Sequence, residues 1–220
     1  MTSTQELFTA IEAGDTDRVV AIVEAGPSVA AARDEHGVSA LMRARYRFDA
    51  ASANAIRMAL PNLDVFEAAS FGDVDRLTEI VEADPSLPAA RSGDGFTALH
   101  LAAFFGKPDA ARLLLMRGAD PDAVGTGWMT GTALHSAVSG RHHDVAVILL
   151  DAGADPDLRQ AMGWTPLHGA AHNGEIRTVE LLLAHGAAVD VVDDDGITAS
   201  EMARSEGHDE IAELLGQAAP

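Results

Sequence analysis

Nine histidines, a Ser-His-Asp grouping and a run of three aspartates are the residues of this chain whose types could do chemistry. Ser139, His142 and Asp144 are the residue types of a nucleophilic triad, in which the base must bond both partners and an oxyanion site must face the nucleophile. One tight connection between two helices does not supply that geometry. His168 and His172 lie four apart on one helix, yet no Asp or Glu stands at a convincing third ligand position. Cysteine is absent, so Cys-based zinc sites and thiol chemistry are excluded. His142 and His143 are adjacent and point about 100° apart on a helix, which reads as solvated surface. Asp193, Asp194 and Asp195 lack the further spaced oxygen ligands of a calcium loop and read as a solvated turn tip. Neither a Gly-rich phosphate loop nor a His-Glu-x-x-His pattern occurs. The expectation is a protein with no catalytic residues, no metal site and no cofactor.

The other histidines belong to a repeat. Thr97-Ala98-Leu99-His100, Thr132-Ala133-Leu134-His135 and Thr165-Pro166-Leu167-His168 recur in steps of 35 and 33, and Thr198-Ala199-Ser200-Glu201 follows after a further 33. Threonine suits the cap of a helix, Pro or Ala its first turn, and Leu the core. Equivalent histidines in neighbouring repeats stand apart by the spacing of packed helices, about 8–10 Å. Ligands of one zinc must each lie about 2 Å from it. His100, His135 and His168 are therefore expected to be structural, each bonded within its own turn.

Each tetrapeptide opens a short helix, and a second apolar helix follows, as in Val145 to Leu150. The second helices stop at Gly118, Gly153 and Gly186, since glycine takes the left-handed conformation that ends a helix. Diverged copies of the plan run over Gln5 to Gly26, Val38 to Leu60 and Leu63 to Ala83. The first-helix anchors are Leu7, Leu41, Val65, Leu99, Leu134, Leu167 and Ser200, in steps of 34, 24, 34, 35, 33 and 33. Repeats one and two map onto three and four with an offset of 58, the mark of a duplicated pair. The one short step, at Leu60-Pro61-Asn62-Leu63, predicts a missing finger with a local kink or hinge.

The Thr-Pro-Leu-His signature, the Gly-Ala-Asp at residues 118–120 and 153–155 after two of the hairpins and the 33-residue step resemble the ankyrin repeat family, in its bacterial-type arrays. That resemblance implies an all-α ankyrin-repeat solenoid of about seven helical hairpins with short β-turn fingers, residues 1–220 forming a single domain. Diverged repeats one and two occupy residues 1–60, repeat three residues 61–90, three consensus-like repeats residues 91–197, and a C-terminal capping repeat residues 198–217.

A net charge of −19 opposes binding to phosphate backbones and anionic lipid, which are held mainly by Lys and Arg. The expected partner is another protein, with no nucleic acid and no membrane. No apolar run approaches the roughly 20 residues that span a bilayer, and no signal-peptide pattern opens the chain, so a cytoplasmic monomer is expected. The bias toward Ala, Arg, Asp and Gly is that of a GC-rich bacterial source.

Members of the family generally meet partners at the finger tips and the inner face of the first helices. By alignment within the chain, the resemblance carries this role to Asp94, Phe96, Phe104 and Phe105 in repeat four. In repeat six it falls on Met162, Trp164, His172 and Asn173, and the enlarged fifth finger between them carries Trp128 and Met129. Large aromatics anchor interfaces because they bury much area at low entropic cost. Arg43, Arg45 and Arg47 form a basic cluster that guanidinium chemistry suits to a small anionic ligand, or to pairing with the chain's own acids. Three functions are therefore open: an interaction module, an inhibitor or antidote that covers a partner enzyme, and an anion sensor.

Overall fold

A threonine or serine that takes up a free N–H at the head of a short helix recurs along the chain. Thr97 and Thr198 have extended backbones and accept the His100 and Glu201 amides, and Ser39 accepts that of Met42 in the same way. In Thr132, Thr165 and Thr198 the bond is returned, because the side chain of His135, His168 or Glu201 accepts the threonine's own amide. Reciprocal capping of this kind satisfies two of the amides that a helix start leaves unpaired.

The computed structural model describes residues 3–127 and 130–218. Among these residues the chain forms fourteen α-helices in seven hairpins and no strand. Two compact units are resolved, residues 1–67 with 92–94 and residues 68–91 with 95–220. In the first, α1 (Ser3–Ala13) pairs with α2 (Thr16–Ala25), and α3 (Ala40–Tyr46) with α4 (Ala50–Ala59). First helix then packs on first helix and second on second, α1 on α3 and α2 on α4, around the buried Leu7 and Leu41.

The division falls inside α5 (Val65–Phe71), which leads into α6 (Val74–Ala83). The second unit continues with α7 (Ala98–Phe104) and α8 (Pro108–Met116), then α9 (Ala133–Ser139) and α10 (His143–Asp151). Its last two hairpins are α11 (Pro166–Asn173) with α12 (Ile176–Ala184) and α13 (Ala199–Ser205) with α14 (Asp209–Ala218). The first helices α7, α9, α11 and α13 stack in order, as do α8, α10, α12 and α14. Leu99, Leu134 and Leu167 are the buried anchors of these layers. Ser200 takes the anchor position of the last repeat, and its hydroxyl donates to the Ala212 carbonyl at 3.0 Å, so a bond within the hairpin replaces an apolar contact.

The connections between hairpins are turns, with isolated antiparallel bridges at Arg33–Ser39 and Val192–Thr198. Between α4 and α5 only residues 60–64 intervene, against 26–39 and 84–97 at the neighbouring steps, so the finger is absent where the short step placed it. Asp64 and Glu67 close this junction by accepting each other's amides at 2.8 and 3.0 Å. Burial, then the charge of Asp64, raise the Glu67 carboxyl above the usual carboxylate range. Gly118, Gly153 and Gly186 follow the ends of α8, α10 and α12 with φ of 85°, 89° and 85°, the left-handed region that their sequence positions predict.

Candidate functional site

The signature histidines do more than cap their own turns. Nε2 of His100 donates to the Gly131 carbonyl at 3.0 Å, that of His135 to Trp164 at 3.2 Å, and that of His168 to Ile197 at 3.1 Å. Every acceptor lies in the finger of the following repeat, so the ring ties one layer to the next. Nδ1 of His135 and His168 accepts the Thr132 and Thr165 amides at 3.1 and 3.2 Å, which fixes the neutral tautomer with its proton on Nε2. Burial lowers the pKa of all three rings, that of His135 to about 4. They are uncharged structural links near neutrality.

Aspartates order the finger turns. Asp34 accepts the His36 and Val38 amides at 2.9 and 3.0 Å, and Asp193 those of Asp195 and Ile197 at 3.0 and 2.9 Å. Asp193 is thus buried, where the sequence suggested a solvated tip, and Asp194 pairs with Arg159 at 3.1 Å. The Ile197 amide, with further help from Asp195, His168 and the Trp164 indole, holds the Asp193 carboxyl below its usual range. Asp122 and Asp157 reach across to the Asp155 and Ala188 amides of the next repeat, both at 2.9 Å.

The residues assigned to partner contact separate into two groups. Phe96 is 3% exposed and packs on His100 with ring centres 5.7 Å apart, so its ring belongs to the repeat core rather than to a surface. Asp94 faces the half-buried Tyr46, whose hydroxyl is out of solvent and has its pKa raised first by burial and then by that carboxylate. Phe104 and Phe105 form an edge-to-face pair at 5.1 Å and stay partly exposed at the end of α7. Met162 is 62% exposed on a turn with φ of 66°. Trp128 and Met129 lie outside the described residues.

Trp164, His172 and Asn173 come together. The Trp164 and His172 ring centres are 5.4 Å apart, and Asn173 Nδ2 donates to the Val138 carbonyl at 3.0 Å. With Ser139, Gln160 and Gly169 they line a cavity of about 170 Å³ between the first helices of repeats five and six. Internal alignment had selected Trp164, His172 and Asn173 as positions. It missed Gly169, although Leu101 and Ser136 hold the equivalent positions and the loss of a side chain there is visible in the sequence. Also missed were Val124, Val192 and Ile197, apolar finger side chains that remain exposed like Met162.

The other candidate groups do not assemble. Arg43 pairs with Asp34 through two nitrogens, Arg45 is largely buried, which lowers its pKa, and Arg47 extends over the α1–α2 turn beside Gly14. Arg43 is thus engaged within its own finger, and Arg47 lies at the turn of the preceding hairpin. His142 is half-buried, not solvated, and directs Nε2 to the Phe104 carbonyl at 3.1 Å. That commitment takes it out of a triad with Ser139. Among the described residues no group of His, Asp and Glu is arranged to hold a metal ion, and no helix is long and apolar enough to cross a membrane.

Comparison with known proteins agrees with this geometry. The family described as "Ankyrin repeats (3 copies)" matches residues 65–160 and 147–219, and the chain belongs to it. It is similar to Ankyrin repeat and SOCS box protein 3 of Bos taurus, 44% identical over 62% of this chain and 26% of that protein. It also resembles E3 ubiquitin-protein ligase XB3 of Oryza sativa subsp. japonica, 45% identical over 28% of this chain and 14% of that one. The human Espin-like protein is 39% identical over 28% of this chain and 6% of its own length. The chain thus spans a small part of the curated relatives it matches. Ankyrin repeats are generally protein–protein interaction modules, and the family is typically non-enzymatic.

Proposed function

We propose that this chain is a non-enzymatic interaction module that binds another protein through the finger tips and first-helix face of its fourth to sixth repeats. The observation that carries the reading is the apolar side chains left in solvent on the fingers: Val124 and Met162 on the fifth and sixth, with Val192 and Ile197 on the finger that closes the sixth repeat against the seventh. Apolar groups held in solvent on neighbouring fingers support an interaction surface. Phe104, Phe105 and Trp164 add partly exposed rings of the kind that anchor interfaces.

A folded double variant, Met162→Ser with Ile197→Ser, tests this against wild type in quantitative capture from the native cell extract. Loss of two apolar anchors is expected to weaken a partner's binding by about thirty-fold or more. A partner that binds both proteins equally would refute the assignment.

A further inference from the structure

The cavity between repeats five and six is lined by Gly169, at the position where the fourth repeat has Leu101 and the fifth Ser136. A Cβ on Gly169 would stand 3.1 Å from Val138 Cγ1, a close contact that a shift of the Val138 side chain by a few tenths of an ångström relieves. At about 170 Å³ the space is smaller than drug-sized sites, which run about 300–1,000 Å³, and suits the end of one long side chain. No Asp, Glu, Lys or Arg lines it. What it offers is the Trp164 indole, the Ser139 hydroxyl, the Gln160 amide and the Asn173 side-chain carbonyl, whose NH₂ donates to Val138.

The surroundings are negative. Asp193 sits at the Trp164 edge, and the two basic groups nearby are already matched, Arg159 with Asp194 at 3.1 Å and His172 with Glu206 at 3.6 Å. Residues 130–218 contain fifteen acidic side chains and four arginines, without a lysine. A cation is drawn toward an aromatic face in such a field. The neutral acceptors favour guanidinium over ammonium, because a planar group with five donors stacks on indole while bonding several oxygens and is less strongly hydrated.

We propose that this cavity is a subsite for an arginine side chain on the partner protein, seated over Trp164; the assignment rests on the interaction-module reading above. The test is an NMR titration of the full chain with N-acetyl-arginine amide, alongside the citrulline and leucine amides. Arginine amide is expected to shift the Trp164 indole and Asn173 side-chain signals, with citrulline weaker by about five-fold or more, as a cation–π contribution requires. Equal binding of citrulline, stronger binding of leucine, or no shift with arginine would overturn the proposal.

Gly169→Leu supplies the blocking control, since it fills the space while removing a helix-weakening glycine. Arginine binding that persisted in this folded variant would place the cation elsewhere and overturn the subsite. Because the titration needs no partner, it separates from the capture experiment. Failure here with a partner lost from the finger variant removes only the subsite. Arginine binding with capture unchanged supports the subsite and refutes the wider surface.

Discussion

Acidification should weaken this protein well before its carboxylates protonate, and His135 shows why. In the unfolded chain its imidazole titrates near 6.5, while burial holds the folded value at about 4. The folded value is depressed, so the unfolded state binds more protons between these limits and stability falls as pH falls through them. Each pH unit below about 6.5 costs about 1.4 kcal/mol, so moving from about pH 7 to about pH 5 removes about 2 kcal/mol through this residue alone. His100 and His168 act in the same direction, each held low first by burial. The lowered carboxyls of Asp34 and Asp193 begin to matter only below their ordinary value of 3.8, outside this window. Glu67 and Glu175, raised by burial, work weakly the opposite way. Urea unfolding followed by far-UV circular dichroism across this range measures the slope, and His135→Gln removes one titrating ring. The variant starts less stable at neutral pH but should lose about 2 kcal/mol less on acidification. A slope identical to wild type would refute the neutral, buried imidazole.

The remaining expectations are direct. Leu134→Ala empties a fully buried anchor of the second unit and should cost about 2–5 kcal/mol in denaturant unfolding. Gly118→Ala places a Cβ in open space at φ of 85°, so the roughly 1–2 kcal/mol expected is purely conformational, and no loss on thermal melting would contradict that backbone. Millimolar phosphate should leave the melting temperature unchanged, because Arg43 is already paired with Asp34 and Arg47 lies by Gly14; a rise that Arg47→Ala abolishes would restore the anion sensor.

The family and its seven hairpins are legible in the sequence because a repeat writes one set of local rules many times. Caps, anchors and stop glycines act within a turn or two of their own positions, and Thr97, Leu99 and Gly118 can be read without their neighbours. The missing finger at Pro61 is legible as a change of spacing. Less legible is whatever depends on the next layer. The histidine rings look like caps in isolation, and only stacking brings the Gly131, Trp164 and Ile197 carbonyls to their far nitrogens. His142 reads as solvated for the same reason, since its partner lies 38 residues back in the chain, whereas Asp193 reads so because the turn that brings the Asp195 and Ile197 amides onto it is a matter of backbone geometry.

The residues proposed for binding divide along the same line. Internal alignment selects positions, and position alone cannot separate Phe96, turned into the core against His100, from Met162, left in solvent. The sequence by itself determined the repeat, its register, the acidic balance and the absence of thiol chemistry, all consequences of residue type and local spacing. Only the tertiary structure decided which side chains face outward and where a cavity opens. Gly169 makes room only because Trp164, Asn173 and the preceding repeat stand around it, and burial is a property of neighbours brought together from distant parts of the chain.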